Sequence, residues 1–171
     1  MNVMADELTE APQVSPITDL PMELFWEIDG LSRLFLEIQN HWAKALGLTA
    51  PQFLILQAVR ELGWKKGAAV KDVAARLKVH PSFITAETKG LVKSGLVEKI
   101  PSKLDARVVL LSLSDRARSA LESLHPHREA LNSFVFASVD DDEMKAIINR
   151  FRSLQRLLSK GLRSLAVEGN S

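Results

Sequence analysis

The chain has 171 residues, 46% of them hydrophobic, with a formal net charge of +1. That is long and apolar enough to bury a core, and no apolar run approaches the length of a membrane span, so a soluble, cytoplasmic protein with no membrane partner is expected. Cysteine is absent, which excludes disulfides, Cys-ligated zinc and thiol-based redox sensing.

Near-neutrality conceals a charge separation. Residues 60–118 carry 13 Lys and Arg against 6 Asp and Glu, whereas residues 1–30 carry 7 acidic residues and no Lys or Arg. A concentrated basic segment in a neutral chain points to nucleic acid, because neutralising phosphates releases counterions and gives salt-dependent affinity.

Residues 1–19 lack the basic and apolar regions of a secretory signal, and Ala11-Pro12-Gln13-Val14-Ser15-Pro16 reads as part of a flexible acidic arm. From Pro21 to Leu46, residues Leu24, Ile28, Leu31, Phe35, Ile38, Trp42 and Leu46 recur at spacings of three and four, predicting one long helix with a continuous apolar stripe, weakened locally by Gly30.

Lys71 to Leu77 carries Val73, Ala74 and Leu77 on one face of a short amphipathic helix. Pro81 ends the turn Lys78-Val79-His80 and opens a new helix, since proline suits the first helical position and no interior one. Phe83, Ile84, Leu91 and Val92 supply buried anchors along it, leaving Ser82, Thr85, Ala86, Lys89 and Lys93 on the opposite, exposed face. Gly95 fits the helix stop. Two helices joined by a sharp turn can set the second in a DNA major groove.

Leu96, Val97 and Ile100, then Val108 to Leu113, have strand character. Ser102-Lys103-Leu104-Asp105-Ala106-Arg107 between them makes a polar hairpin tip with two cations, suited to a neighbouring groove. Ser114 and Asp115 fit a helix start. The segment from Ser114 to Phe136 continues as a connector, kinked or broken near His125 to His127 because Pro126 removes a helical donor and crowds the preceding turn. Asp140 and Glu143 have capping-box spacing ahead of Met144, Ile147, Ile148, Phe151, Leu154, Leu157, Leu158, Leu162 and Leu165, a second long amphipathic helix. The apolar residues at the two chain ends exceed what a small winged domain can cover, so a partner subunit is expected.

The stretch VHPSFITAETKGLVKSGLVEKIPSKLDARVVLLSLS, Val79 to Ser114, resembles the MarR family of winged helix-turn-helix regulators. Gly95-Leu96-Val97-Glu98-Lys99 ahead of the wing and Asp105-Ala106-Arg107 at its tip carry the likeness; the Asp-x-Arg wing is its most specific part. Weaker agreement extends through Leu46-Gly47-Leu48-Thr49 and the terminal helices, over roughly residues 20 to 165. The resemblance implies a mainly α fold with a small β-hairpin wing: a DNA-binding domain over 49–114, dimerisation helices over 20–48 and 115–165, and a flexible tail over 166–171. It further implies a homodimer on a pseudo-palindromic operator, more often a repressor, whose affinity changes when a small molecule binds.

Carried onto this chain, Arg107 enters the minor groove and Asp105 braces the hairpin or the guanidinium. Ser82, Thr85, Ala86, Lys89, Lys93 and Lys103 complete the candidate DNA-binding set. The family's effector cleft falls among the first helix, a second helix at Pro51 to Leu62 and the connector. There Trp26, His41, Trp42, Phe53, Arg60 and Trp64 offer ring faces and carboxylate partners suited to a small aromatic acid. Each of these residues also fits ordinary core or dimer packing.

Two other readings stand beside a ligand-responsive regulator. A metal-responsive regulator would draw on His125 and His127, yet two residues apart on a helix they diverge, with no cysteine to complete a ligand set. A winged-helix protein-interaction module without sequence-specific DNA binding would share the fold, against the basic wing. No P-loop, dinucleotide, His-Glu-x-x-His or nucleophile-elbow motif is present, so neither an enzyme nor a cofactor is expected. The Asp140-Asp141-Asp142-Glu143 cluster reads as a solvated helix entrance.

Overall fold

The computed structural model describes residues 19–64, 66–102, 105 and 107–168. The chain divides into two units, with the boundary between Ala120 and Leu121. The first opens with α1 (Leu20–Ala45), whose start is capped by Asp19, the carboxylate accepting from the Met22 amide at 3.3 Å. Helix α2 (Ala50–Gly63) begins with a complete capping box: the Gln52 amide donates to Thr49 Oγ1 at 3.4 Å and the Thr49 amide to Gln52 Oε1 at 3.3 Å. Phe53, Ile55, Leu56, Ala58 and Val59 are buried, and α2 packs on α1, on α3 (Val70–Leu77), on α4 (Pro81–Lys93) and on the sheet. The core of the winged domain is therefore built around α2.

The sheet has the order β1-β3-β2, from β1 (Ala68–Ala69), β2 (Val97–Pro101) and β3 (Val109–Leu113), all antiparallel. β2 and β3 form the hairpin, in register from Val97 opposite Leu113 to Pro101 opposite Val109. The two-residue β1 pairs Ala68 with Leu111 and Ala69 with Leu110, a strand too short and too alanine-rich to announce itself in the sequence. It is held close: a Cβ on Gly67, where φ is +76°, would stand 3.0 Å from Leu110 Cβ, and one on Gly63 would stand 2.5 Å from the Ala68 amide nitrogen.

Within α4 the buried positions are Ile84, Thr88 and Leu91, whereas Phe83 and Val92, expected among the anchors, are each 39% exposed. Successive helical residues are about 100° apart, and α4 turns a single narrow stripe inward, so a neighbour of Ile84 or of Leu91 falls outside it. Thr88, the buried polar residue, is tolerated because its hydroxyl donates to the Ile84 carbonyl at 2.8 Å. Helix α5 (Asp115–Ser123) starts from Ser114, whose Oγ accepts from the Ala117 amide at 3.1 Å. It ends at Ser123, and α6 (His125–Val135) takes Pro126 in its first turn. The break falls where the proline predicts it.

The second unit contains α6 and α7 (Asp141–Glu168). The expected capping box at α7 forms in full, with the Glu143 amide donating to Asp140 Oδ1 at 2.8 Å and the Asp140 amide to Glu143 Oε2 at 3.1 Å. Helix continues through Glu168, three residues into the segment read as a tail. Large apolar side chains remain exposed along α1, including Leu24, Leu31 and Phe35, and along α7, including Ile147, Phe151, Leu157 and Leu162. Among the described residues, no helix is long and apolar enough to cross a membrane. The acidic arm at residues 1–18 and the last residues, 169–171, lie outside the described residues.

Candidate nucleic-acid interface

The helix-turn-helix is made by α3, the turn Lys78-Val79-His80 and α4. α3 closes with the Val79 amide donating to the Ala74 carbonyl at 3.1 Å and the Lys78 amide to the Ala75 carbonyl at 3.4 Å, which places Lys78 in the left-handed conformation at φ 58°. His80 then caps α4, its Nδ1 accepting from the Ser82 amide at 3.3 Å and lying 2.8 Å from Ser82 Oγ. An Nδ1 that accepts from an amide leaves the neutral ring's proton on Nε2. Arg76 of α3 forks onto Glu61 of α2, its Nε within 3.1 Å of both carboxylate oxygens, and fixes one helix of the motif against the core.

On α4, Ser82, Thr85, Ala86, Lys89 and Lys93 are all exposed, as the periodicity predicts. Thr85 donates its hydroxyl proton to the Pro81 carbonyl at 3.1 Å, so toward a groove it offers a methyl group and acceptor lone pairs. The other end of α4 is tied down by Arg116, whose Nη1 donates to the Ser94 carbonyl at 3.2 Å.

The hairpin tip is braced from within. Asp105 Oδ1 accepts from the Arg107 amide at 2.9 Å, the Asp105 amide donates to Ser102 Oγ at 3.4 Å, and the Ser102 amide donates to the Val108 carbonyl at 2.9 Å. Of the two roles expected for Asp105, bracing the hairpin backbone is the one seen. Arg107 is exposed at this tip, while Lys103 lies outside the described residues.

The residues expected at an effector cleft divide into groups. Trp42 and Phe53 meet with ring centroids 6.3 Å apart at 53°, and Phe53 belongs to the buried core. Arg60 stands 5.7 Å from the Trp64 ring centroid. Trp26 and His41 are exposed on α1. Sequence reasoning missed Arg118, whose guanidinium lies 5.8 Å from the same Trp64 ring while bonding Asp115 at 2.9 Å. Its signal was its place in the first turn of α5. Among the described residues, no group of three or more His, Asp or Glu side chains is disposed to hold a metal ion; His125 Nε2 lies 3.9 Å from a Glu129 carboxylate oxygen.

Residues 46–108, the segment carrying this interface, match the family model described as the MarR family. Two relatives from Bacillus subtilis are similar over much of the chain. The HTH-type transcriptional regulator YpoP is 28% identical over 128 residues, 74% of this chain and 89% of its own. The HTH-type transcriptional repressor MdtR is 27% identical over 117 residues, 67% and 74% of the two chains. Among solved structures, CouR from Rhodococcus jostii RHA1, bound to p-coumaroyl-CoA, superposes with a TM-score of 0.70 at 19% identity, covering 80% of this chain and 94% of that one. The protein is thus a winged helix-turn-helix DNA-binding transcriptional regulator and not an enzyme. Over residues 46–108 it carries a winged segment that matches the MarR family.

Proposed function

We propose that the protein is a homodimeric, cytoplasmic repressor that reads a pseudo-palindromic operator and is released by a small aromatic carboxylate. The observation that carries the DNA half of this reading is the exposed polar face of α4, from Ser82 through Lys93, beside a wing whose tip holds Arg107 up on the Asp105 brace. α4 lies in the major groove, with Ser82, Thr85, Ala86 and Lys89 toward base edges or phosphates and Lys93 toward phosphate. The wing, with Lys103 and Arg107, reaches the adjacent minor groove. Residues 49–114 form the DNA-binding domain. Residues 20–48 and 115–165 form the dimer, supported by the apolar side chains that α1 and α7 leave exposed. Two copies related by a twofold axis then present their recognition helices to successive grooves.

Repression is supported by the name of MdtR, and an effector with an aromatic acyl group by the ligand of CouR. Within this chain Trp64 with Arg60, and Trp42 with His41, are the aromatic and carboxylate-pairing groups available to such an acid. Release requires that the acid bind more tightly to a dimer geometry unable to span both grooves, since equal affinity for two states shifts nothing.

The test is a salt-titrated binding assay on DNA from upstream of the protein's own gene, against a scrambled duplex, with benzoate and hydroxybenzoates then added. Preference for the upstream DNA and its disappearance on adding one acid are the expected results. Equal binding to both duplexes removes the operator reading, and saturable quenching of tryptophan emission without DNA release removes the coupling.

A further inference from the structure

Three helices of the first unit end in the same closure. After α1 the Leu48 amide donates to the Ala43 carbonyl at 2.9 Å and the Gly47 amide to Lys44 at 3.0 Å. After α4 the Leu96 amide donates to Leu91 at 2.9 Å and the Gly95 amide to Val92 at 3.0 Å. After α3 the Val79 amide donates to Ala74 and the Lys78 amide to Ala75. This closure forces a left-handed residue, and glycine fills it without a Cβ penalty. The chain supplies glycine after α1, at φ 68°, and after α4, again at φ 68°. After α3 it supplies Lys78 at φ 58°, the lone non-glycine with positive φ among the described residues.

We propose that Lys78 is a DNA phosphate contact at the rim of the groove entered by α4, held in a strained backbone conformation for the sake of its charge. Its position fits the role. Lys78 lies two residues ahead of the α4 N-cap, at the end of the recognition helix that points into a major groove. Its side chain is exposed, and no ion pair among the described residues engages its ammonium. A residue placed only to close the turn would need no charge, and glycine would do that work with less strain. A lysine there adds a sequence-independent anchor that fixes how the helix approaches the groove, without reading a base. This inference rests on the DNA-reading role of α4.

The test compares the full-length protein with K78G, K78N and K78R on a mixed-sequence duplex and on the upstream DNA, across a salt series, with thermal melting of each variant. K78G is expected to weaken both duplexes several-fold alike, with a salt slope shallower by about 0.9 for each phosphate that is no longer neutralised. Its melting temperature should rise by roughly 2–4 °C as the strain is relieved. K78N, neutral and tolerant of the left-handed region, should fall in affinity by the same factor, whereas K78R should keep affinity and slope. Because K78G is expected to be the more stable protein, weaker binding cannot be blamed on unfolding. Unchanged affinity and slope in K78G overturn the proposal, as does an equal weakening in K78R. A wild-type protein that binds neither duplex would overturn the DNA-reading role itself, which separates that failure from the failure of Lys78 alone.

Discussion

Arg107 and Asp105 divide the work of the wing tip between charge and geometry. The Asp105 carboxylate holds the Arg107 amide at 2.9 Å, so the side chain leaves the hairpin from a fixed backbone while its guanidinium remains exposed. Arg107→Ala should weaken operator binding by about 1–3 kcal/mol, with a shallower salt dependence and an unchanged oligomeric state, read by fluorescence anisotropy and sedimentation. Unaltered affinity and slope would remove Arg107 from the interface. Gly63 sets a different constraint. The Cβ of an alanine there would stand 2.5 Å from the Ala68 amide nitrogen, a backbone atom that cannot step aside as a side-chain end can. Gly63→Ala should cost roughly 1–3 kcal/mol in urea unfolding as a case of overpacking, and a neutral result would show that the α2–β1 turn relaxes freely.

At the scale of elements, the sequence announces those with strong local chemistry. Pro81 and Gly95 bracket α4, Pro126 separates α5 from α6, and the Asp140–Glu143 pair opens α7 with both reciprocal bonds made. Asp140→Ala should therefore cost about 1 kcal/mol of stability, seen as a lower melting temperature. An unshifted melt would mean that α7 is held by packing alone. What the sequence conceals is whatever depends on partners distant along the chain. β1 is two alanines that become a strand only because Leu110 and Leu111 arrive beside them. Thr88 shares the helical face of Ile84 and Leu91, yet only the packed structure shows that a polar residue is buried there. Phe83 and Val92 look like anchors until the same stripe excludes them. Of the interface, the exposed face of α4 is legible because a period of 3.6 is a local property. The bracing by Asp105 of the wing backbone and the approach of Arg118 to Trp64 are legible only as residue types in plausible places.

At the scale of the whole molecule, the apolar side chains exposed along α1 and α7 are the surface that the proposed homodimer would cover. Leu157, 67% exposed on α7, is a direct probe. Leu157→Glu should shift sedimentation from dimer toward monomer and reduce operator affinity more than affinity for a single half-site, because only the dimer engages two grooves at once. A variant that stays dimeric would place the subunit contact elsewhere. The winged domain has its own internal mechanics. β3 is the middle strand, paired on one side with the hairpin strand β2 and on the other with β1, which runs directly into the first turn of α3. Gly67 lies at the base of β1, where a side chain would run into Leu110 and Leu111. The wing hairpin and the strand that leads into α3 thus share β3: in the proposed DNA complex, a displacement of the wing tip would be carried through one continuous sheet to the start of the helix-turn-helix.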